Sequence, residues 1–216
     1  MKRMLFLIFF IPFSISFLLN FKSNFPSIFV ELSNFYLFGA GILFFFLVRL
    51  IPFSNRKGNF FENFSHELTH YLFALLFFKR VTSFKAYSKY GGEINLYGGN
   101  FLIALSPYFF PTFTVFFLIL KPILINEVRQ FIDIFIGFTY TFHLSLFIKD
   151  FSVSQPDIKI TGRAFSLIFV TLANVLLIAG ISIIIGRDYS FFFEFLKLSV
   201  NSIIDFFVKI AGVLNI

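Results

Sequence analysis

The sequence predicts an all-α polytopic membrane protein with about six transmembrane helices, a short β-hairpin-like loop after the third, and an amphipathic helix at the C-terminus. Two observations carry this. The 216 residues are 58% hydrophobic and only 13% charged, with mean hydropathy +0.88, which lies outside the range of soluble globular chains. Apolar runs of roughly 19–20 residues recur along the chain, each long enough at 1.5 Å per residue to cross a hydrocarbon core of about 30 Å. The 41 phenylalanines, with no Trp and no Cys, read as drift among interchangeable lipid-facing residues. Without Cys there is no disulfide framework, no thiol nucleophile and no thiolate metal site. The net charge of +7 does not point to nucleic acid, because Lys and Arg gather at helix ends near headgroups and no basic run sits in soluble structure.

Taken in order, Lys2 and Arg3 precede apolar residues 4–19, the pattern of a signal peptide or of a first membrane helix. No small-x-small cleavage site follows in LLNFKSNFPS, so an uncleaved anchor is expected. Residues 35–53 form a second span whose Gly39 and Gly41 permit close helix contact, and the two spans make an N-terminal anchor over residues 4–53. SNRKGN, residues 54–59, reads as a tight polar turn into a third helix over 59–78, which Lys79 and Arg80 end. Beyond it, Gly91-Gly92 and Gly98-Gly99 bracket Glu93-Ile94-Asn95-Leu96-Tyr97, whose polar and apolar residues alternate as in a hairpin strand; an ordinary flexible loop is the alternative.

Residues 101–120 are a further span interrupted by Ser106-Pro107 and Pro111. Proline frees backbone carbonyls that neighbours or water must meet, so a bend lining a cavity is expected there. Residues 131–148 follow, with Asp133, Gly137, Tyr140 and His143 near one face. The loop KDFSVSQPDIKITG leads to a span over 163–185 with Asn174 in its middle. In the tail, residues 190–210, Glu194, Lys197, Asn201, Asp205 and Lys209 recur every three or four residues, the pattern of an interfacial helix. No repeat or linker divides the chain, so a single membrane-embedded domain over 1–216 is expected, with its core at 59–186. Alternate loops carry eight basic residues on each side, so the positive-inside rule assigns no orientation.

The chemistry-bearing stretch is His66-Glu67-Leu68-Thr69-His70. Two histidines four apart share one face of a helix, so both rings can reach a single metal while Glu67 projects beside them toward a water. Composition alone yields this HExxH pattern about once per thousand such chains. Its surroundings are apolar enough to lie in lipid, where a mid-helix carboxylate costs roughly 2.5–3.5 kcal/mol on insertion scales, and a metal or a polar cavity would offset that cost. Asn59, Glu62, Asn63, His66, Glu67 and His70 follow helical spacing along one side, a stripe suited to the inside of a bundle.

A catalytic zinc takes three protein ligands and leaves one position open. With no Cys, the third comes from His143 or a carboxylate, of which Asp133 lies in a span and Asp157 in the SQPDI loop. At 1.5 Å per residue His66 and His70 lie roughly 9–15 Å into their helix and His143 roughly 18 Å into a parallel one, a reachable depth. Asp157 emerges on the far side by the same count, unless its loop folds back into the membrane.

HELTH, the glycine-paired segment after it, NFLIALSPYFFP and QPDIKITG together resemble the site-2-protease class of membrane-embedded zinc peptidases, over roughly residues 59–174. The resemblance implies that His66, His70 and a downstream Asp hold zinc and that Glu67 is the catalytic base. It carries to Asp157 as the third ligand, with His143 as the alternative ligand or a donor to the transition state. The chain departs from the usual Asp-Gly pattern, since Ile158 follows Asp157 and the nearest glycine is Gly162.

The function expected is zinc-dependent hydrolysis of peptide bonds in or near membrane segments of protein or peptide substrates, with Zn2+ as cofactor, the bilayer as solvent and no nucleic-acid partner. His143 or Tyr140 would donate to the developing oxyanion, and Glu93 and Asn95 would contact a substrate laid along the hairpin edge. The location expected is integral and multi-pass, in the cell inner membrane if the source is bacterial. The rivals are a catalytically inactive membrane binding or scaffold protein of the same fold, and a small transporter whose His and Glu relay ions. The chain holds no phosphate-cradling loop, no nucleophilic Ser elbow and no inverted repeat.

Overall fold

A computed structural model describes residues 2–50, 54–87, 91–152 and 154–213. Its helices are α1 (Lys2–Ile28), α2 (Tyr36–Leu50), α3 (Ser54–Leu76), α4 (Phe101–Phe109), α5 (Thr112–Leu120), α6 (Asn126–Arg129), α7 (Ile132–Asp150), α8 (Pro156–Thr161), α9 (Arg163–Gly186) and α10 (Tyr189–Val213). Two strands, β1 (Val81–Tyr87) and β2 (Gly91–Leu96), pair antiparallel between α3 and α4, with an irregularity between Val81 and Ser83. The chain forms two compact units, Met1–Phe35 with Thr171–Ile216, and Tyr36–Val170.

Among the described residues four helical segments are long and apolar enough to cross a membrane: Arg3–Ile28, Leu32–Leu50, Asn126–Asp150 and Arg163–Gly186. The pair Phe101–Phe109 and Thr112–Ile123, bent by 76°, makes a fifth if it is one span. The sixth expected span is α3. Its first half carries Asn55, Arg56, Lys57, Asn59, Glu62 and Asn63, too polar for a window of this kind. The end of the second expected span, residues 51–53, lies outside the described residues, as does the side chain of Asn59.

In the first unit α1 runs well past the expected end at residue 19. Its polar stretch stays helical because short side chains bond back to their own helix: Ser23 Oγ donates to the Leu19 carbonyl at 3.0 Å and Asn24 Nδ2 to the Asn20 carbonyl at 2.9 Å, which meets part of their hydrogen-bonding need within the helix. α10 packs along α1 in the opposite direction. Ring centroids of Phe17 and Phe195 lie 4.8 Å apart and those of Phe9 and Phe207 6.2 Å apart, and Ser16 Oγ donates to the Ser199 carbonyl at 2.9 Å. The tail is thus an amphipathic helix, with Phe195 and Ser199 buried on the side that lies along α1.

In the second unit α2 lies against α7 with their backbones almost touching. A side chain at Gly41 would strike the Ile134 carbonyl, and one at Gly137 the Phe38 carbonyl, so both positions need hydrogen there. Gly39, the other small residue expected at a contact, has open space beside it. α3 begins at Ser54, where a polar turn was expected, and packs on α4 through Phe73, whose ring lies 5.0 Å from Phe110 and 5.7 Å from Phe109. The hairpin lies on α3. Asn63 Nδ2 donates to the Tyr87 carbonyl at 2.6 Å, and Phe84 packs edge-on against Phe64 and Tyr71.

The break between α4 and α5 follows from Pro111. A residue before proline is pushed out of the α region, and Phe110 sits at φ −106, ψ 106. Asn100 caps the start of α4, its side chain accepting from the Ile103 amide at 2.9 Å, which fixes where the hairpin ends and the helix begins.

Candidate metal centre

α3 places His66 and His70 one turn apart, with ring centroids 4.9 Å from each other. α8 brings a carboxylate to them. Asp157 Oδ2 lies 3.6 Å from His70 Nε2 and 3.9 Å from His66 Nε2. One ligand atom from each of the three falls within 4.8 Å of the others. Donors around a tetrahedral zinc at about 2.0–2.1 Å stand roughly 3.3 Å apart, so the three groups are close enough to hold an ion once they draw together.

The ring of His70 has a fixed tautomer. Its Nδ1 stands 2.8 Å from the Ile103 carbonyl; a carbonyl only accepts, so Nδ1 carries a proton and Nε2 is the ring nitrogen turned toward Asp157. That outer-shell bond is the usual partner of a metal-bound imidazole. The sequence supplies its acceptor through Pro107. In an α-helix the Ile103 carbonyl would take the amide of residue 107, which proline lacks, so it is left for His70 and for Ser106 Oγ at 2.8 Å. The bend foreseen from the prolines lines a cavity, as expected, and also orients a ligand.

Asp157 is oriented in turn. Tyr108 Oη donates to its Oδ2 at 3.2 Å, and the Tyr108 ring meets His66 edge-on at 5.4 Å. Burial opposes the charge on Asp157, but the imidazoles of His66 and His70 facing it outweigh that and hold its carboxyl well below the usual carboxylate range. α8 holds the residue in place through Thr161, whose Oγ1 donates to the Asp157 carbonyl at 2.7 Å, and through Ile158, buried to 1% exposure.

Glu67 is buried beside the histidines and passes under β2. A Cβ added to Gly92 would overlap the Glu67 Cγ and lie 2.7 Å from its Oε1, so the strand roofs the carboxylate at the one residue that leaves room for it. A two-histidine, one-carboxylate cluster with a confined acid next to it is the constellation of a metal-dependent hydrolase.

The family model described as Peptidase M50B-like matches residues 38–189. The chain belongs to the peptidase M50B-like family. This is a family of membrane metallopeptidases that includes the site-2 proteases, and with its long apolar helices the M50B-like chain is an integral membrane protein. No curated protein and no solved structure matches it.

The remaining residues singled out in the M50B-like sequence sit as follows. His143 is buried on α7 and lines a cavity of about 10 Å³ together with His66, Thr69, Tyr108, Pro111 and Asp150; it is not in the ligand cluster. Tyr140, buried one turn earlier, does not line that cavity. Asp133 is engaged elsewhere by Lys121 Nζ at 2.7 Å. Glu62 is not a ligand but the centre of an ion network, bonded to Arg49 and to Lys149 Nζ at 2.5 Å. Glu93 and Asn95 are exposed on β2 and bonded to each other at 2.7 Å, with Asn95 also donating to Ser83 Oγ at 2.9 Å. The sequence marked Pro107 for a freed carbonyl and Gly92 for one end of the hairpin but gave neither its partner at the site, and Tyr108 took no role; contact partners distant in sequence decide all three.

Proposed function

We propose that this protein is a membrane-embedded zinc metallopeptidase that hydrolyses peptide bonds in or near the membrane segments of protein substrates. The observation that carries the reading is the convergence of His66, His70 and Asp157 beside the buried carboxylate of Glu67. When bound, zinc supplies Lewis acidity there, drawing the pKa of a water toward about 7 and polarising the scissile carbonyl. Glu67 takes the proton of that water and passes it to the leaving amine. Burial suits this work, because a carboxylate shut away from bulk solvent holds the proton until the amine departs. His143, facing the cavity beside His66, is the donor we assign to the developing oxyanion, ahead of Tyr140.

The substrate enters extended. β2 has one edge paired with β1, and a peptide added along the hairpin would satisfy main-chain groups there while Glu93 and Asn95 touch its side chains. Gly92 sets the same strand directly over Glu67, which aligns a bound peptide bond with the acid. The protein is multi-pass, and in a bacterium we place it in the inner membrane.

The test is Glu67→Gln in the full chain. Elemental analysis after gentle purification should find zinc in wild type and variant alike, while cleavage of a co-expressed membrane reporter disappears. Cleavage surviving in the variant defeats the role of Glu67. A wild-type protein free of zinc favours the inactive scaffold instead.

A further inference from the structure

The two histidines of the site are not held alike. His70 gives its Nδ1 proton to the Ile103 carbonyl. His66 turns Nε2 toward Asp157, and among the described residues no hydrogen bond engages its Nδ1. A metal-bound imidazole almost always donates its second N–H to a carboxylate, a carbonyl or a water. Beside His66 lies the cavity of about 10 Å³ lined from α3, α4, α5 and α7, and Asp150 is part of its wall. That volume is room for about one water.

Asp150 stands in this wall at a cost. It is the last residue of α7, where a carboxylate meets the negative end of the helix dipole. It is half-buried, and the charge of Glu62 repels it. Lys149, its neighbour in the chain, reaches instead to Glu62 at 2.5 Å. Among the described residues no ion pair or hydrogen bond takes the Asp150 carboxylate. After Lys149, the group that attracts its charge is the imidazole of His66, with which it shares the cavity. A local rule broken with no structural return is the mark of a functional position.

We propose that Asp150 is a positioning residue for His66: one water in the cavity accepts from His66 Nδ1–H and donates to the Asp150 carboxylate, holding the ring with Nε2 toward the metal as the Ile103 carbonyl holds His70. His66, Asp150 and His143 in the same wall supply the roughly two to four polar partners that a buried water needs. The proposal rests on the zinc reading of the site.

Two measurements on the full chain separate positioning from scaffolding: zinc affinity by competition with a chelating dye, and the melting temperature of the metal-stripped protein. Asp150→Ala should weaken zinc binding about 10–100-fold and leave the metal-free melting temperature at or above the wild-type value, since a disfavoured charge is gone. Asp150→Asn keeps an oxygen that accepts from the water, so it should recover most of the lost affinity. Unchanged affinity in Asp150→Ala overturns the proposal. So does a loss that Asp150→Asn shares in full, or one that comes with a lower metal-free melting temperature in either variant. A wild-type chain that binds no zinc overturns the zinc reading itself, and the proposal with it.

Discussion

Replacing Gly92 with Ala tests whether the hairpin confines the acid. The new Cβ would overlap the Glu67 Cγ and stand 2.8 Å from its Cδ and 2.7 Å from its Oε1. Carbon atoms in ordinary contact keep about 3.5–4.0 Å, so the carboxylate must withdraw by about 1 Å or the strand must lift by as much. A misplacement of that size costs on the order of 100-fold in rate, or about 2.7 kcal/mol of transition-state stabilisation. The three atoms nearest an added Gly92 Cβ all belong to Glu67 and none to His66, His70 or Asp157, so zinc content should stay at the wild-type level. The assay pairs the cleavage rate of a membrane reporter with zinc measured on the same preparation. Shortening the acid gives a second readout: Glu67→Asp should lose less activity in the Gly92→Ala background than in the wild type, because the shorter side chain clears the methyl group. Unchanged cleavage by Gly92→Ala refutes the confinement, and parallel loss of zinc and activity refutes the division of labour between strand and ligands.

Three further outcomes follow from the same geometry. Asp157→Ala should weaken zinc binding by more than the roughly 10–100-fold that outer-shell changes produce, whereas His143→Ala should leave it unchanged, as read by competition with a chelating dye. Pro107→Ala returns an amide that competes with His70 for the Ile103 carbonyl; zinc affinity should fall about tenfold while the melting temperature holds or rises, since the helix regains a hydrogen bond. Glu62→Ala strands Arg49 and Lys149 around a buried site; because Lys149 is 55% exposed, the loss should be about 1–3 kcal/mol of stability, seen as a lower melting temperature with zinc retained.

Residues that act on their own helix were legible in the sequence, and residues that act across the fold were not. His66 and His70 need only the 3.6-residue repeat to share a face, and the structure sets them as that repeat requires. Gly41 and Pro107 announced a close approach and a freed carbonyl, but not the partners, Ile134 and His70, which belong to other helices. Polar side chains at the end of α1 misled in the opposite direction. Ser23 and Asn24 look like loop residues, yet each bonds to the turn behind it, which is a way for a helix to carry polar groups through lipid.

Asp157 and His143 show why depth counting fails at such a site. Counting residues from span to span treats every connection as a passage to the far side, which puts Asp157 out of reach and His143 within it. The connection between α7 and α9 is not a passage of that kind. Pro156 starts a short helix, its missing amide costing nothing at a first turn, and Gly162, at φ 94, ends it in a conformation that suits glycine. Between those two residues α8 turns back on α4, and Tyr108 meets the carboxylate there. The glycine expected directly after the aspartate stands five residues on, and here it closes the whole helix and not a tight turn beside Asp157. A Gly162→Ala variant would therefore displace Asp157 through the strained end of α8, and zinc affinity should fall with no contact between residue 162 and the metal; equal affinity would mean that Tyr108, on the carboxylate, and Thr161, on the backbone carbonyl, hold Asp157 without the glycine.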